Sequence, residues 1–385
     1  MLEKALTGSK KYYAWLGFLM VIIGIGTMFY LKQFYTGLAI TGLGRDVTWG
    51  LYIAQFTFLV GVAASAVMVV LPYYLHDYKA FGKITVLGEA LAISAVVMCM
   101  TFIFVDMGQP MRIVNVFLYP SPSSMMFWDS VSLGGYLALN ALIGYVTLAS
   151  EHKGVKPPSW IKIFIILSIP WAISIHTVTA FLYSGLVARP FWMTAVLAPR
   201  FLASAFASGP SLLILICFLL RKISKFDVGK EPIQKLAVIA TYAMIINVFL
   251  VLMEMFTAFY SNMPEHTSHF KLLFTGLPGN SVLVPWMWVS VSLAIAALGM
   301  LLIPSVRRTE GALAIACVAV FVSIWIDKGM GMIVTGFIPT PLGKVVTYLP
   351  TFPEIMISLG IYAIGIFILS VLYKIILSSR GEVEA

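Results

Sequence analysis

Few ionisable side chains interrupt the apolar segments of this sequence, and one of them is a histidine. His176 lies well inside the apolar segment 161–183, near the start of the run SIHTVTAFLYSGLVARPFW, which covers residues 174–192. An imidazole titrates near neutral pH and can both donate and accept a proton. A quinone carbonyl needs a hydrogen-bond donor, and the hydroxyl of its quinol needs a proton acceptor, so His176 could serve both states. A neutral histidine that bonds only to a neighbouring helix is the structural alternative.

Carboxylates near the ends of two apolar segments form a second group of candidates. Asp129 follows Trp128 at the start of one segment, where a carboxylate could cap a helix or accept a proton beside His176. Asp106 closes an earlier segment in VDMGQPMR, where Gly and Pro turn the chain. It either pairs with Arg112 or contributes to a site.

Three further carboxylates, Glu89, Glu254 and Asp327, lie within or at the end of apolar segments. A charged side chain in a bilayer is costly, so such residues are functional hypotheses by default. Glu89 is close enough to Lys83 in the sequence to reach water at the membrane surface instead. We expect the three carboxylates to belong to a proton path, although their spacing leaves open whether their helices touch.

The sequence offers few ligands for a metal ion or a haem. The other histidines all fall in predicted connections: His76, His152, His266 and His269. A haem with two histidine ligands, or a metal site, therefore lacks its further ligands in the membrane. The three cysteines lie singly in different apolar runs without a CxxC motif. We expect no haem, iron–sulfur cluster, metal site or catalytic residue in this chain.

Composition places these residues in a membrane protein. The 385 residues are 60% hydrophobic and only 11% charged, with a mean hydropathy of +0.96. Soluble domains are about 45–50% apolar. We expect a multi-pass protein of the cell membrane that is surrounded by lipid. The net charge of +9 then reflects charges in the loops, and we expect no nucleic-acid partner.

Ten segments are long and apolar enough to cross a bilayer as helices. They cover residues 12–31, 49–75, 84–105, 129–149, 161–183, 199–220, 235–260, 284–303, 311–327 and 355–377. The sequence therefore predicts an all-α polytopic fold with ten transmembrane helices. The connections on one side hold 17 of the 25 lysines and arginines, Lys4 among them, and the other side holds 8, including Arg200 and Lys328. The positive-inside rule then places both termini in the cytoplasm.

A weak internal repeat relates two of the segments. His176-Thr-Val-Thr-Ala-Phe and Glu254-Met-Phe-Thr-Ala-Phe share their last three residues, and a Tyr-Ser pair follows each of them closely. Such a repeat is typical of two related helical bundles, and it also occurs in secondary transporters.

Several motifs, in order along most of the chain, resemble one family. They are WGLYIAQFTFLVGVAASA, VDMGQP, SPSSMMFWD, HTVTAFLYSGLVARPFW, APRFLASAFASGP and MEMFTAFYS. Together they resemble the NrfD/polysulfide-reductase membrane-subunit (PsrC-like) family. Within it, the chain is most similar to the DsrP-type subunit of the Dsr electron-transport complex of sulfate reducers. It departs from the family at Gln109, where members often have Arg, although Arg112 is near enough to substitute.

The resemblance implies one NrfD-like domain over residues 1–385 with two four-helix bundles. The first bundle would cover 49–183 and the second 199–327, flanked by helices 12–31 and 355–377. A menaquinone is expected in the first bundle near the outer face. This supports a site that contains the following residues: His176, Asp129, Trp128, Tyr183, Asp106 and Arg112.

The resemblance also implies a function and partners. Family members hold no haem or cluster of their own and pass electrons between menaquinone and a ferredoxin-like iron–sulfur subunit docked on the outer face. A Dsr-type complex for anaerobic respiration on sulfate or sulfite would add a cytochrome c, a membrane cytochrome b and a cytoplasmic iron–sulfur protein, and it could also translocate protons. The alternatives are the membrane subunit of a periplasmic hydrogenase complex and a secondary transporter.

Overall fold

Ten long apolar helices form the molecule, which confirms the predicted all-α membrane fold. The computed structural model describes residue 3 and residues 7–381, so Lys4 lies outside the described part. The helices, labelled α1 to α10 in order, are Lys10–Ile40, Leu51–Leu75, Lys79–Asp106, Met125–His152, Ile161–Ser184, Leu197–Ile223, Lys230–Tyr260, Val284–Leu302, Glu310–Thr335 and Phe352–Arg380. The orientation of the termini stays a prediction. We therefore call the end with the connections 41–50, 107–124, 185–196, 261–283 and 336–351 the predicted outer end.

The prediction for the ninth helix was wrong at its outer end. It was predicted to stop at Asp327, but α9 continues to Thr335. The chain passes through a π-helical stretch, Trp325–Gly331, in which Gly329 departs from helical geometry. This irregular turn keeps Lys328 inside the protein at 3% exposure rather than in a loop. A lysine followed by glycines, here Gly329 and Gly331, is typical of a helix end, which explains the misplaced boundary.

The second helix is the centre of the arrangement. The most apolar stretch of α2 is 94% buried, and the helix packs against α3, α6 and α9. The helices α3, α4 and α5 follow one another as packed neighbours, and α6 packs on α7 and α9. A short 3₁₀ turn, Ala64–Ala66, interrupts α2 midway. The predicted domain boundaries 49–183 and 199–327 stay a prediction.

The first and last helices pack on each other. A Cβ atom added to Gly26 of α1 would lie 2.7 Å from the Cα of Gly360 in α10. Only glycine allows two backbones to approach this closely, which is a common way to join helices in lipid. The α10 helix also packs on α3, so this pair flanks the first group of helices.

A buried glutamate organises the predicted outer end around the start of α10. Glu354 is 0% exposed and accepts hydrogen bonds from the backbone N–H of Gly42 at 2.7 Å, the Tyr348 hydroxyl at 2.6 Å and the N–H of Thr351 at 2.8 Å. It also completes a capping box with Thr351. One side chain therefore ties two connections to a helix end.

We expect Glu354→Ala to destabilise the protein by about 1–3 kcal/mol, because three hydrogen-bond donors lose their buried acceptor. Thermal unfolding of the purified protein, and proteolysis within residues 336–351, measure the effect. Glu354→Gln, which keeps one acceptor oxygen, should fall between Glu354→Ala and the native chain. Equal melting temperatures for all three proteins would show that the network contributes little.

Candidate functional site

One face of α5 carries the buried polar residues of the first candidate site. His176, Thr179 and Tyr183 are spaced three and four residues apart, so they share a helix face, and each is 0% exposed. This face meets α2 and α4. His176 and Tyr183, both predicted for the quinone site, are therefore buried on one helix face, and their role in quinone binding stays a prediction. Thr179, which lies between them, was not among the predicted residues.

One hydrogen bond determines which ring nitrogen carries the hydrogen when His176 is neutral. Its Nδ1 lies 3.1 Å from the carbonyl oxygen of Ala172. A carbonyl only accepts, so Nδ1 must carry the hydrogen and Nε2 must hold the lone pair. Nε2 is buried and has no hydrogen-bond partner among the described residues. An unpaired acceptor at this depth is ready to receive a proton from a bound hydroxyl.

Asp129 of α4 joins this site through Thr179. The Thr179 hydroxyl lies 2.7 Å from Asp129 Oδ1 and 2.7 Å from the carbonyl oxygen of Ile175, so its single hydrogen is shared between these two acceptors. Asp129 is 4% exposed. In the part of the chain that is described, its second oxygen makes no hydrogen bond. The site thus contains two free acceptors on neighbouring helices, one from His176 and one from Asp129.

Aromatic rings close the predicted outer end of this site. The Tyr183 hydroxyl pairs with Thr57 of α2 at 2.6 Å, and its ring packs against Trp49 and Trp192 at centroid distances of 5.6 and 5.3 Å. Trp192 is itself 0% exposed and donates from Nε1 to the carbonyl oxygen of Met332 at 3.0 Å. Trp49, together with Trp192 of the 3₁₀ turn Pro190–Trp192, therefore covers Tyr183 at this end, and we call these two rings the aromatic plug.

Three of the residues predicted for this site make no hydrogen bond to it among the described residues. Trp128 is 44% exposed, and its indole donates to the carbonyl oxygen of Pro122 at 2.8 Å. Asp106 has a buried oxygen without a partner, whereas Arg112 is exposed. Within residues 7–381 no ion pair joins them, so the alternative of an Asp106–Arg112 pair was wrong.

The second candidate site is an ionic cluster between α6, α7 and α9. Arg200 donates from Nη1 to Glu254 at 2.8 Å and from Nη2 to both oxygens of Asp327 at 2.8 Å. Its side chain is only 9% exposed. Asp327 also lines an apolar cavity of 660 Å³ between α7 and α8. Two of the predicted proton-path residues therefore meet on one arginine.

Glu89 lies apart from this cluster. It is 3% exposed on α3, its Oε2 has no partner among the described residues, and a Cβ on Gly144 of α4 would come within 3.4 Å of that oxygen. The predicted path that would connect Glu89 with Glu254 is not continuous among the hydrogen bonds of the described residues.

A lysine lies between the two sites. Lys328 Nζ is 3.4 Å from the carbonyl oxygen of Phe201 and 4.3 Å from the centroid of that ring. A Cβ on Gly61 of α2 would lie 3.3 Å from the same nitrogen, so the glycine gives the ammonium room. With Lys328, the cluster of Arg200, Glu254 and Asp327 contains two formal charges of each sign and is neutral as a group.

Sequence reasoning missed Arg200 and Lys328 because both were counted as loop charges. The signal for Arg200 was present, since it lies inside the segment 199–220 that the sequence predicts as a helix. Lys328 had no such signal, because its burial depends on the π-helical turn.

The outer helix Pro264–Phe274 contains a histidine that makes a pH-dependent contact. His269 is 2% exposed and stacks on Phe191 with centroids 5.2 Å apart. Burial penalises the charged ring and lowers its pKa from 6.5 to about 4. Between pH 4 and pH 6.5 the unfolded state binds more protons than the folded state does. The stabilisation by the buried neutral ring of His269 is therefore complete above pH 6.5 and is lost as the pH falls toward 4.

We expect amide hydrogen exchange in residues 264–274, corrected for the intrinsic rate, to accelerate as the pH falls from 6.5 to 4. His269→Phe keeps the aromatic contact and should remove the pH dependence. A profile in the native chain as flat as that of His269→Phe would contradict this assignment.

Comparison with known proteins places this arrangement in a family. Residues 39–336 match the sequence model of the family described as polysulphide reductase, NrfD. The chain is 25% identical to a putative membrane subunit of the dimethyl sulfoxide reductase of Halobacterium salinarum, over 92% of this chain and 88% of the relative. It is 21% identical to the menaquinone reductase integral membrane subunit of Nitratidesulfovibrio vulgaris, over 95% and 91%.

A third relative matches a shorter region. The Hdr-like menaquinol oxidoreductase integral membrane subunit of Archaeoglobus fulgidus is 24% identical over 63% of this chain and 60% of its own length. The family match covers eight of the ten membrane helices, α2 to α9, and both candidate sites. The chain therefore belongs to the polysulphide reductase NrfD family and is a multi-pass protein of the cell membrane.

Proposed function

We propose that this chain is the quinone-reactive membrane subunit of a menaquinol-linked respiratory complex. In this proposal, menaquinone or menaquinol binds in the first group of helices beside His176 and Asp129, and electrons pass to or from an iron–sulfur subunit on the predicted outer face. Two relatives are named for menaquinone or menaquinol chemistry, which supports this choice of substrate.

The observation that carries the proposal is the unpaired Nε2 of His176. Oxidising a quinol releases two protons, and a buried pocket cannot hand them directly to water. The Nε2 lone pair can take one proton, and the free oxygen of Asp129 can take the other. Two acceptors on adjacent helices match the two hydroxyl groups that one quinol carries.

The predicted outer end also has a surface that suits a partner subunit. Its connections expose large apolar side chains in several places: Met111, Phe117, Leu118, Tyr119, Val187 and Leu342. Exposed apolar groups on connections between membrane helices favour contact with another protein or with the lipid interface. A ferredoxin-like subunit docked here would lie directly above the aromatic plug formed by Trp49 and Trp192.

The finer parts of the proposal concern protons and partners. We propose that Glu254, Asp327 and Glu89 exchange protons during turnover, with Arg200 holding the first two in position. The DsrP-type assignment extends the complex to a cytochrome c, a membrane cytochrome b and a cytoplasmic iron–sulfur protein, and the reaction to sulfate or sulfite respiration. Subunits that co-purify with a tagged chain would test this set directly.

The test uses the complex isolated from its native membrane through a tag on this chain. We expect it to contain menaquinone and to oxidise a menaquinol analogue. Asp129→Asn removes a proton acceptor but keeps the hydrogen bond from Thr179, so turnover should fall by about 100-fold without loss of subunits. Asp77→Asn, at a side chain that is 81% exposed in the connection at the other end of the helices, is the control. A complex without quinone, or with normal turnover in Asp129→Asn, would contradict the proposal.

A further inference from the structure

A second cavity lies on the opposite side of α2 from His176. It is a cleft of 460 Å³ between α2, α8, α9 and α10, which is within the usual size of a small-molecule site, about 300–1,000 Å³. Exposed Trp286 of α8 and Ile355 and Leu359 of α10 lie at its rim. The cleft therefore opens sideways, where lipid surrounds the protein.

Three polar side chains of different helices meet at the inner wall of the cleft. Gln55 of α2 is 1% exposed, and its Oε1 accepts from Trp325 Nε1 and from the Tyr362 hydroxyl, both at 2.6 Å. An indole N–H can only donate, so the atom that faces Trp325 must be the oxygen of the amide. The NH₂ group of Gln55 then points elsewhere, and in the described residues it has no hydrogen-bond partner.

Ser358 adds a second unsatisfied group to the same wall. It lies four residues before Tyr362, on the same face of α10. It is 6% exposed, and its hydroxyl is buried without a partner among the residues that the structure describes. Two unpaired donors, from Gln55 and Ser358, thus line an otherwise apolar cleft. A buried donor without an acceptor is unfavourable, and a bound ligand with acceptor oxygens would relieve this.

The chemistry of the lining defines the ligand. None of the described residues around the cleft carries a charge, so the wall does not suit a phosphate headgroup. It suits a neutral, flat, mostly apolar molecule with two acceptor oxygens and a chain that extends into lipid. The head of a prenylated quinone has these properties, since its two carbonyl groups can accept from Gln55 and Ser358.

We propose that this cleft is a second quinone-binding site, separated by α2 from the site at His176. Gln55 faces the cleft, whereas Thr57, two residues later, faces away from it and bonds to Tyr183. The family match ends at residue 336, and Ser358 and Tyr362 belong to α10 beyond it. The choice of a quinone as ligand rests on the proposed function, but the position of the site does not.

A photoaffinity experiment tests the proposal on the complex isolated from its membrane. A prenylated azido-naphthoquinone is expected to label peptides of α8 and α10 as well as those around His176. Ile355→Trp fills the rim of the cleft and should lower the α8 and α10 labelling at least about tenfold. Val289→Trp is the matched control, because Val289 is similarly exposed, at 46% against 41% for Ile355, but does not line the cleft.

Ser358→Ala should leave folding intact, because the hydroxyl has no partner among the described residues, and should weaken labelling of the cleft about three- to tenfold. Labelling of α8 and α10 that is absent, or is unchanged by Ile355→Trp, would overturn the proposal. A phospholipid acyl chain retained in the cleft in place of the probe would also overturn it. His176→Ala distinguishes the two sites: labelling of the cleft should persist in this variant even if the function proposed for His176 fails.

Discussion

His176→Ala is expected to reduce menaquinol-linked turnover by about 100-fold or more, the usual contribution of a positioned proton acceptor. The Nδ1 atom already donates to Ala172, so Nε2 is the nitrogen that the substitution removes from the site. Turnover with a menaquinol analogue, measured across pH in the isolated complex, gives the effect. The complex should keep its subunits, because Nε2 makes no hydrogen bond within the described chain.

Two further variants separate proton transfer from packing. His176→Gln fills more of the space than Ala but does not titrate, so its turnover should be equally low and its pH profile should lack the ionisation seen in the native complex. His152→Ala, which changes an exposed residue at the other end of α4, controls for effects of substitution and purification on turnover. Native turnover in His176→Gln would refute the role in proton transfer.

Arg200→Met should cost about 3–5 kcal/mol of stability, because it leaves the Glu254 and Asp327 carboxylates buried without their common partner. Both contacts are 2.8 Å long, and the arginine side chain is 9% exposed. Thermal unfolding of the purified complex measures the loss. Arg221→Met is the matched control: its pair with Glu310 is 32% and 37% exposed, so this change should cost less than about 1 kcal/mol.

Because the cluster has no net formal charge, a second substitution can test whether lost charge or lost packing destabilises Arg200→Met. In the Arg200→Met variant the group keeps two formal negative charges, on Glu254 and Asp327, against the one formal positive charge of Lys328. Adding Glu254→Gln leaves one carboxylate and one ammonium, so the double variant should regain part of the lost stability. If the double variant is less stable than Arg200→Met, the packing of Arg200 rather than its charge explains the loss.

The sequence was most informative where a residue's position depends only on its own helix. Runs of apolar residues were sufficient to find ten helices, and they were sufficient to place His176 within one of them. The contacts that define the sites join residues far apart in the chain, such as Asp129 with Thr179 and Arg200 with Asp327. No local pattern encodes which helices are neighbours.

Two features lay beyond sequence reasoning for a more specific physical reason. Lys328 is buried because a π-helical turn carries it past the expected helix end. The internal repeat was misleading in detail: Thr179 binds a carboxylate, but its counterpart Thr257 is exposed and bonds only to its own helix at Met253. Similar motifs therefore met different neighbours.

The contact between Gly26 and Gly360 has a consequence for how the protein is made. The α1 helix is the first to leave the ribosome, yet it packs chiefly on α10, the last, and only 11% of its apolar window is buried. During synthesis α1 therefore lies in the membrane without its packing partner until residue 360 has been inserted. A truncation within α10 would therefore leave a helix hundreds of residues away without its packing partner.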